Sequence, residues 1–276
     1  MSTENHDIEQ AAAQGDPDRM AAAFFAPLSV RPDLMALYAF NLELARVRDL
    51  VTEPMAGQLR FAWWRDQINR IGEGKALDAP IGRAFAQACG RHSLPLDLVH
   101  GLIDARSNEL FETPFATDAD FDAHAVAASS AIMMLAARIC GAGELADQVA
   151  KPAGIAYALV GVLRSLAHDA RRRRCFIPLS ALAKDKLWPE QVFTGDMHRI
   201  RPAVHAMATR AKEFVGLARR FPIPSKALAA ILPAVLARQY ISALLKPDVD
   251  LYREPPQLRR LTAIASLGRA AMTGRV

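Results

Sequence analysis

Apolar residues recur every three or four positions along almost the whole chain, which is the period of an α-helix. The stretch RPDLMALYAFNLELARVRDLV at 31–51 places Leu34, Leu37 and Tyr38 on one helical face in this way. Clear strand signals are few. Hydrophobic residues make up 51% of the 276 positions, enough to bury a sizeable core. We therefore expect an all-α protein.

Prolines and capping residues divide this pattern into separate helices. Asp16 followed by Pro17 is typical of a helix start, and Pro54 ends the helix over 31–51. The remaining periodicity predicts helices at 55–72, 78–91, 95–112, 119–140, 144–168, 199–220, 225–245 and 256–273.

The chain shows no internal repeat and no linker long enough to divide it. We expect one domain over 1–276, with 1–15 as a flexible N-terminal segment. The helix at 144–168 is the most apolar, so it is expected to be central.

The net charge of +5 and the pI of about 9.3 favour an anionic partner: a nucleic acid, a membrane surface or a phosphorylated small molecule. The alternative is that arginine is simply common in this chain. Basic residues are dispersed over many helices and interleave poorly with aromatic ones, so no nucleic acid is expected.

Cysteine usage and the first residues predict the compartment. The three cysteines are far apart and form no CxxC pair, which favours a reducing compartment. The opening MSTENHDIEQ is polar and acidic, unlike a signal or transit peptide. No apolar run reaches the roughly 18 residues of a membrane span. We expect a cytoplasmic protein, peripheral to the inner membrane if it touches one.

Several common catalytic motifs are absent from the sequence. GEGK at 72–75 lacks the earlier glycine and the following Ser or Thr of a P-loop. No GxGxxG or GxSxG occurs, and the seven histidines form no HExxH. Dinucleotide binding, a hydrolase nucleophile elbow and a histidine metal site are therefore without support.

Two stretches together resemble the squalene/phytoene synthase family: ALYAFNLELARVRDLV at 36–51 and GIAYALVGVLRSLAHDARRRRCFIPLSAL at 154–182. QLRFAWWRDQI at 58–68 and the small-residue run AVAASSA at 125–131 fall in the family's order, so the resemblance covers most of the chain. It implies the all-helical isoprenoid synthase fold with a central cavity.

The family's chemistry uses paired carboxylates one helical turn apart that hold magnesium ions and help expel diphosphate. The resemblance maps one pair to Ala45 and Asp49 and the other to Ser165 and Asp169, so half of each pair is replaced. A shifted pair, Asp49 with Glu53, is the alternative, although Pro54 follows at once. If the chain were active, we expect Asp49, Glu53 and Asp169 to hold Mg²⁺; otherwise no cofactor is expected.

Arginines replace the acidic lip that the family shows. Arg46 and Arg48 are expected to face Arg164 and the run 171–174, forming two cationic walls. Guanidinium groups can hold a phosphate directly through paired hydrogen bonds. We expect an isoprenoid diphosphate or an anionic lipid to bind there; the candidate anion-binding residues are Arg46, Arg164, Arg171 and Arg174. For the run at 171–173, surface salt bridges are an equally good interpretation.

The stretch AFNLELARVRDLVTEPMAGQLRFAWWRDQI at 39–68 is similar to the branch of the family that includes mitochondrial complex I assembly factor 6. LIDARSNEL at 102–110 is similar too, and it contains a candidate functional pair, Asp104 and Arg106. Structural ion pairs to other helices are the favoured interpretation of these two residues, and a functional role is the alternative. This resemblance implies subunits of the respiratory NADH dehydrogenase as partners.

Three functions follow. The first is a non-catalytic or altered family member that binds an anionic amphiphile, or assists assembly of the respiratory NADH dehydrogenase. The loss of both carboxylate pairs favours it. The second is a magnesium-dependent prenyl transferase that joins two isoprenyl diphosphates head to head. The third is a helical interaction module without a small-molecule site.

Overall fold

The computed structural model describes residues 10, 13, 15–75, 77–113 and 115–274. No β-strand occurs in these ranges, which confirms the predicted all-α class. Most of the expected N-terminal segment 1–15 lies outside the described residues. The helices are α1 (Pro17–Ala23), α2 (Arg31–Leu50), α3 (Pro54–Gly72), α4 (Pro80–His92), α5 (Leu96–Asn108), α6 (Asp118–Ala125), α7 (Ala131–Ile139), α8 (Asp147–Arg171), α9 (Leu179–Ala183), α10 (Pro189–Phe193), α11 (Met197–Ala218), α12 (Leu228–Ile231), α13 (Pro233–Leu244) and α14 (Arg260–Thr273).

The helix boundaries follow the local signals in the sequence. Asp16 caps α1, its carboxylate accepting a hydrogen bond from the Arg19 backbone amide at 3.1 Å, and Pro17 is the first helical residue. Helix α2 ends at Leu50, as expected from Pro54 four residues later. The short helices α9 and α10 were missed because five residues show too little of the helical period.

Helix α8 is the central element, as its apolar character predicts. It packs against α7, α11 and α13, and its inward residues are fully buried. By length and composition the helical stretch Glu144–Arg171 could cross a membrane, yet 56% of its most apolar window is buried under other helices. Within the described residues, the pair Ser225–Ile231 and Pro233–Leu244 passes the same test only as one span bent by 41°.

A π-helical turn, Val126–Ser130, joins α6 to α7 within the run AVAASSA. This turn lies directly against α8. A Cβ atom added to Gly154 would lie 2.4 Å from the Ser130 Cα and 2.6 Å from its backbone nitrogen. The Ser130 hydroxyl donates to the Lys151 carbonyl oxygen at 2.8 Å. Small residues on both helices therefore permit a backbone-to-backbone contact at the centre of the fold.

An aromatic cluster anchors α2 to its neighbours. Phe40 stacks on Phe85 at 4.3 Å between ring centroids and meets Trp64 edge to face at 5.1 Å. Of the two adjacent tryptophans, Trp64 is buried and Trp63 is 40% exposed, because neighbouring residues on a helix point in different directions.

Candidate functional site

A cavity of about 330 Å³ lies between α2, α5, α6 and α8, which confirms the predicted central cavity. Its wall combines small, aromatic and charged side chains. The charged and polar lining residues are Asp16, Arg19, Asn41, Arg48, Arg106, Glu109, His124, Ser129, Tyr157, Ser165 and Asp169. Ala128 and Ser129 of the π-helical turn line it as well, so the small-residue run serves both close packing and the cavity wall.

Glu109 is the main ionic hub of the cavity. Its carboxylate oxygens lie 2.6 Å from the Arg106 guanidinium, 3.1 Å from that of Arg48 and 3.2 Å from His124 Nε2. Burial raises the pKa of Glu109, but the two guanidinium groups outweigh that effect, so its pKa lies well below the usual range. Glu109 is therefore a carboxylate at neutral pH, fully committed to its cationic neighbours.

Asp169 faces Glu109 across Arg48. Its Oδ2 accepts a hydrogen bond from the Ser165 hydroxyl at 2.6 Å, and its Oδ1 lies 3.4 Å from the Arg48 guanidinium. Burial raises the pKa of Asp169, and the attraction of Arg48 only partly offsets this effect. Arg48 also stacks over the Phe176 ring at 4.7 Å, which holds the guanidinium between the two acids.

A second group of acids, Asp16 and Asp18, lies at the start of α1. The Arg19 guanidinium lies 2.6 Å from the Asp16 carboxylate, and Arg164 lies 3.0 Å from Asp18. Arg164 is also stacked on the Tyr240 ring at 3.8 Å. The hydroxyl of Tyr240 donates to Asp18 at 3.2 Å. Arg164 is thus held by the ring of Tyr240 and by the carboxylate of Asp18.

Asp49 lies near the end of α2 and is not among the residues that line the cavity. Its carboxylate lies 2.7 Å from Arg174, and both Arg172 and His168 approach to 3.5 Å. Arg174 also donates to the Arg48 carbonyl oxygen. Burial raises the pKa of Asp49, but Arg174, Arg48 and His168 together lower it below its usual value.

Several buried polar atoms of the cavity have no hydrogen-bond partner among the described residues. They include Nε of Arg48, Nε of Arg106, Nδ1 of His124 and the hydroxyl of Ser129. Buried donors and acceptors are normally satisfied by protein, water or ligand. The cavity therefore offers hydrogen bonds to a polar group that enters it.

The model of the squalene/phytoene synthase family matches residues 12–263, nearly the whole chain. The chain belongs to the squalene/phytoene synthase family. Among solved structures, a dehydrosqualene synthase in complex with ligand superposes with a TM-score of 0.84 at 14% identity, covering 98% of this chain and 96% of that one. Squalene synthase HpnC from Alicyclobacillus acidocaldarius gives a TM-score of 0.68 at 17% identity, covering 98% and 94%. These likenesses confirm the isoprenoid synthase fold.

Sequence relatives come from two branches of the family. The NADH dehydrogenase (ubiquinone) complex I assembly factor 6 of Bos taurus is 27% identical over 91% of this chain and 76% of its own length. The Homo sapiens protein of the same name is 25% identical over the same shares. The phytoene synthase of Arthrospira platensis is 22% identical over 91% of this chain and 86% of its own.

The carboxylates do not form the family's magnesium clamp in the described part of the chain. No group of three or more His, Cys, Asp or Glu side chains there is arranged to hold a metal ion. Helix α2 ends before Glu53, so Asp49 and Glu53 do not share a helical face as the shifted pair requires. Asp49 and Asp169 are each held by arginine instead. The residues present do not fit a magnesium cluster.

The expected cationic walls are balanced by acids, of which Asp18 and Glu109 were not predicted as site residues. Arg48, Arg164 and Arg174 each lie within ion-pair distance of a carboxylate. Arg46 and Arg171 are exposed on the surfaces of their helices. The anion-binding role of these arginines stays a prediction. A ligand phosphate would have to compete with the carboxylates that pair with Arg48, Arg164 and Arg174.

Asp104 and Arg106 serve different surroundings. Asp104 is exposed and binds Arg65 of α3 at 2.6 Å, whereas Arg106 points into the cavity toward Glu109 and donates to Asn41 at 3.0 Å. Glu109 follows Arg106 by three residues, a spacing at which helical side chains meet. That spacing in the sequence could have predicted the ion pair between Arg106 and Glu109.

The two buried acids are expected to give opposite pH dependences. Because the pKa of Asp169 is raised by folding, its contribution to stability falls as pH rises above the unfolded value of about 3.9. The pKa of Glu109 is lowered, so its contribution is present above the unfolded value of about 4.3 and is lost as pH falls. Urea denaturation between about pH 3 and 7 should show that the free energy of unfolding of Asp169→Asn, relative to the wild type, increases as pH rises. That of Glu109→Gln, relative to the wild type, should decrease over the same range. Parallel slopes would contradict this assignment.

Proposed function

We propose that this chain keeps the synthase fold without prenyl transfer and assists the assembly of a respiratory NADH dehydrogenase. The observation that carries the proposal is the state of the cavity carboxylates. Arg48 occupies the space between Glu109 and Asp169 and is hydrogen-bonded to the former. Diphosphate departure assisted by magnesium needs carboxylates that are free to bind the metal.

The positions that should complete each clamp support the same proposal. Ala45 cannot ligate a metal, and the Ser165 hydroxyl is used to hold Asp169. Breaking the Arg48 pairs to release the acids would leave a buried guanidinium uncompensated, which is costly. A metal ion would have to displace an arginine that is locked by two acids and an aromatic ring.

The relatives named as complex I assembly factors cover 91% of this chain, which supports carrying their printed role over as a proposal. In this view the cavity binds an isoprenoid diphosphate or an anionic lipid, or only stabilises the fold. The polar atoms left on Arg106, His124 and Ser129 would bind the headgroup. The small residues Ala128 and Gly161 leave space for an apolar tail.

Deleting the gene in its own organism tests the proposal against the prenyl transferase alternative. We expect less fully assembled NADH dehydrogenase on native gels, with squalene- and phytoene-type hydrocarbons unchanged in lipid extracts. A plasmid copy of the wild-type gene should restore assembly. Normal assembly together with loss of a hydrocarbon would contradict the proposal and support the enzyme.

A further inference from the structure

The charge of this chain is unevenly distributed along the sequence. Residues 214–276 hold ten Lys or Arg and only three Asp or Glu. The rest of the chain holds 24 basic and 26 acidic residues, so it is slightly acidic. The positive charge of the protein therefore resides in its last 63 residues, and the field of such a distribution orients that end toward an anionic surface.

Much of this charge lines one cleft. The cleft has a volume of about 850 Å³ and lies between the end of α11, α13 and α14, away from the central cavity. It contains four cations and no acid; these cations are Arg219, Arg238, Lys246 and Arg269. None of the four takes part in a salt bridge within the described ranges, in contrast to Arg48, Arg164 and Arg174.

Hydroxyl groups and an apolar floor complete the cleft. Thr262 and Ser266 add hydroxyl donors for phosphate oxygens, and Val235 and Leu258 form part of the floor. The hydroxyls of Ser242 and Thr273 donate to backbone carbonyl oxygens of their own helices. Such a lining suits a group that is anionic at one end and apolar at the other.

Helix α14 presents an apolar strip beside the cleft. Leu261 is 82% exposed, Ile264 48% and Met272 83%. At 100° per residue these three side chains share the outer face, next to the face that carries Thr262, Ser266 and Arg269 into the cleft. Leu267 and Ala270 face the core instead. Exposed apolar residues beside cations are typical of a helix that lies in a membrane interface.

We propose that this face docks on an anionic membrane, with a lipid phosphate in the cleft and the apolar strip of α14 in the interface. The charge of the cleft is complementary to anionic lipid headgroups, and the strip requires an apolar counterpart. A nucleic acid fits less well, because no aromatic side chain lines the cleft to stack on bases. The inference goes beyond the proposed function and does not depend on what binds in the central cavity.

Vesicle sedimentation of the full chain tests the proposal. Binding is compared between vesicles of phosphatidylcholine alone and vesicles of phosphatidylcholine and phosphatidylglycerol in equal amounts. The protein is expected to bind only the second kind. Arg238→Gln with Lys246→Gln should weaken that binding about 30-fold, since each cation at an anionic surface contributes about 1 kcal/mol. Leu261→Ser with Met272→Ser should weaken it at least about tenfold, because both apolar side chains leave the interface.

Two matched controls separate this face from general charge and apolarity. Lys151→Gln with Arg199→Gln removes the same charge from exposed positions outside the cleft and should change binding less than about threefold. Met55→Ser with Leu59→Ser removes exposed apolar side chains from α3 and should have no effect. Circular dichroism confirms that each variant is folded.

Three results would overturn the proposal. One is equal binding to neutral and anionic vesicles. Another is a loss of binding in the control variants as large as in the cleft variants. The last is a loss with the cleft cations, none with the α14 strip, and full competition by single-stranded RNA, which would indicate a polyanion site.

Discussion

One methyl group added at Gly154 is expected to lower the free energy of unfolding by about 3 kcal/mol or more. The new Cβ would lie 2.4 Å from the Ser130 Cα, well inside van der Waals contact. Because the Ser130 Cα and backbone nitrogen both lie within 2.6 Å of the new Cβ, no change of rotamer relieves the overlap. Either α8 or the π-helical turn must move, and the cavity wall moves with it. Urea denaturation of Gly154→Ala measures the loss.

Gly161→Ala is the matched control on the same helix. A Cβ at Gly161 meets no atom within 4 Å, so the substitution adds only helix propensity. We expect stabilisation of up to about 1 kcal/mol. Equal stability changes for the two variants would show that Gly154 is not a close contact.

Removing the carboxylate of Glu109 is expected to cost about 3–5 kcal/mol of stability. Glu109→Ala leaves Arg48 and Arg106 buried with fewer counterions, and His124 loses its acceptor. A loss of this size exceeds what deletion of the side-chain volume alone explains at a position beside a cavity. Thermal and urea unfolding should agree on the change.

Asp104→Ala, five residues earlier in the chain, is the control for removal of a carboxylate at an exposed position. Asp104 is 62% exposed and pairs with Arg65 on the surface, so its loss should cost no more than about 1 kcal/mol. Adding Arg106→Met to Glu109→Ala should recover part of the stability, because Glu109 is the one carboxylate that pairs with Arg106 among the described residues and its uncompensated charge would be gone. No recovery would indicate that the cost arises from packing rather than charge.

The longer helices were predictable because each one carries its own local signal. Asp16 and Pro17 start α1, Pro54 separates α2 from α3, and α8 is the most apolar segment. The resemblance to the family added the isoprenoid synthase fold with its central cavity, which periodicity alone does not determine.

The ion pairs of the cavity were not predictable in the same way, because they join residues far apart in the chain. Arg164 was correctly placed on the central helix, but its partner Asp18 lies 146 positions away. Asp16 and Asp18 look like ordinary residues of a helix start in the sequence. Arg48 meets Glu109 across 61 positions. The sequence therefore indicated the cations and the acids Asp49 and Asp169, but gave no sign that Asp18 and Glu109 are partners of arginines.

The chain has the fold of the family, and the resemblance assigns Asp49 and Asp169 as the remaining acids of the two carboxylate pairs. Each of these two acids is paired with an arginine. We propose that these pairs leave no clamp for magnesium and that the reaction is lost.

Incubation of the purified chain with farnesyl or geranylgeranyl diphosphate and magnesium, followed by mass analysis of the extracted lipids, tests this claim most directly. We expect no squalene- or phytoene-type hydrocarbon, with an active family member as the positive control. A hydrocarbon product that disappears in Asp169→Ala would contradict it, since it would mean that the remaining acids still release diphosphate.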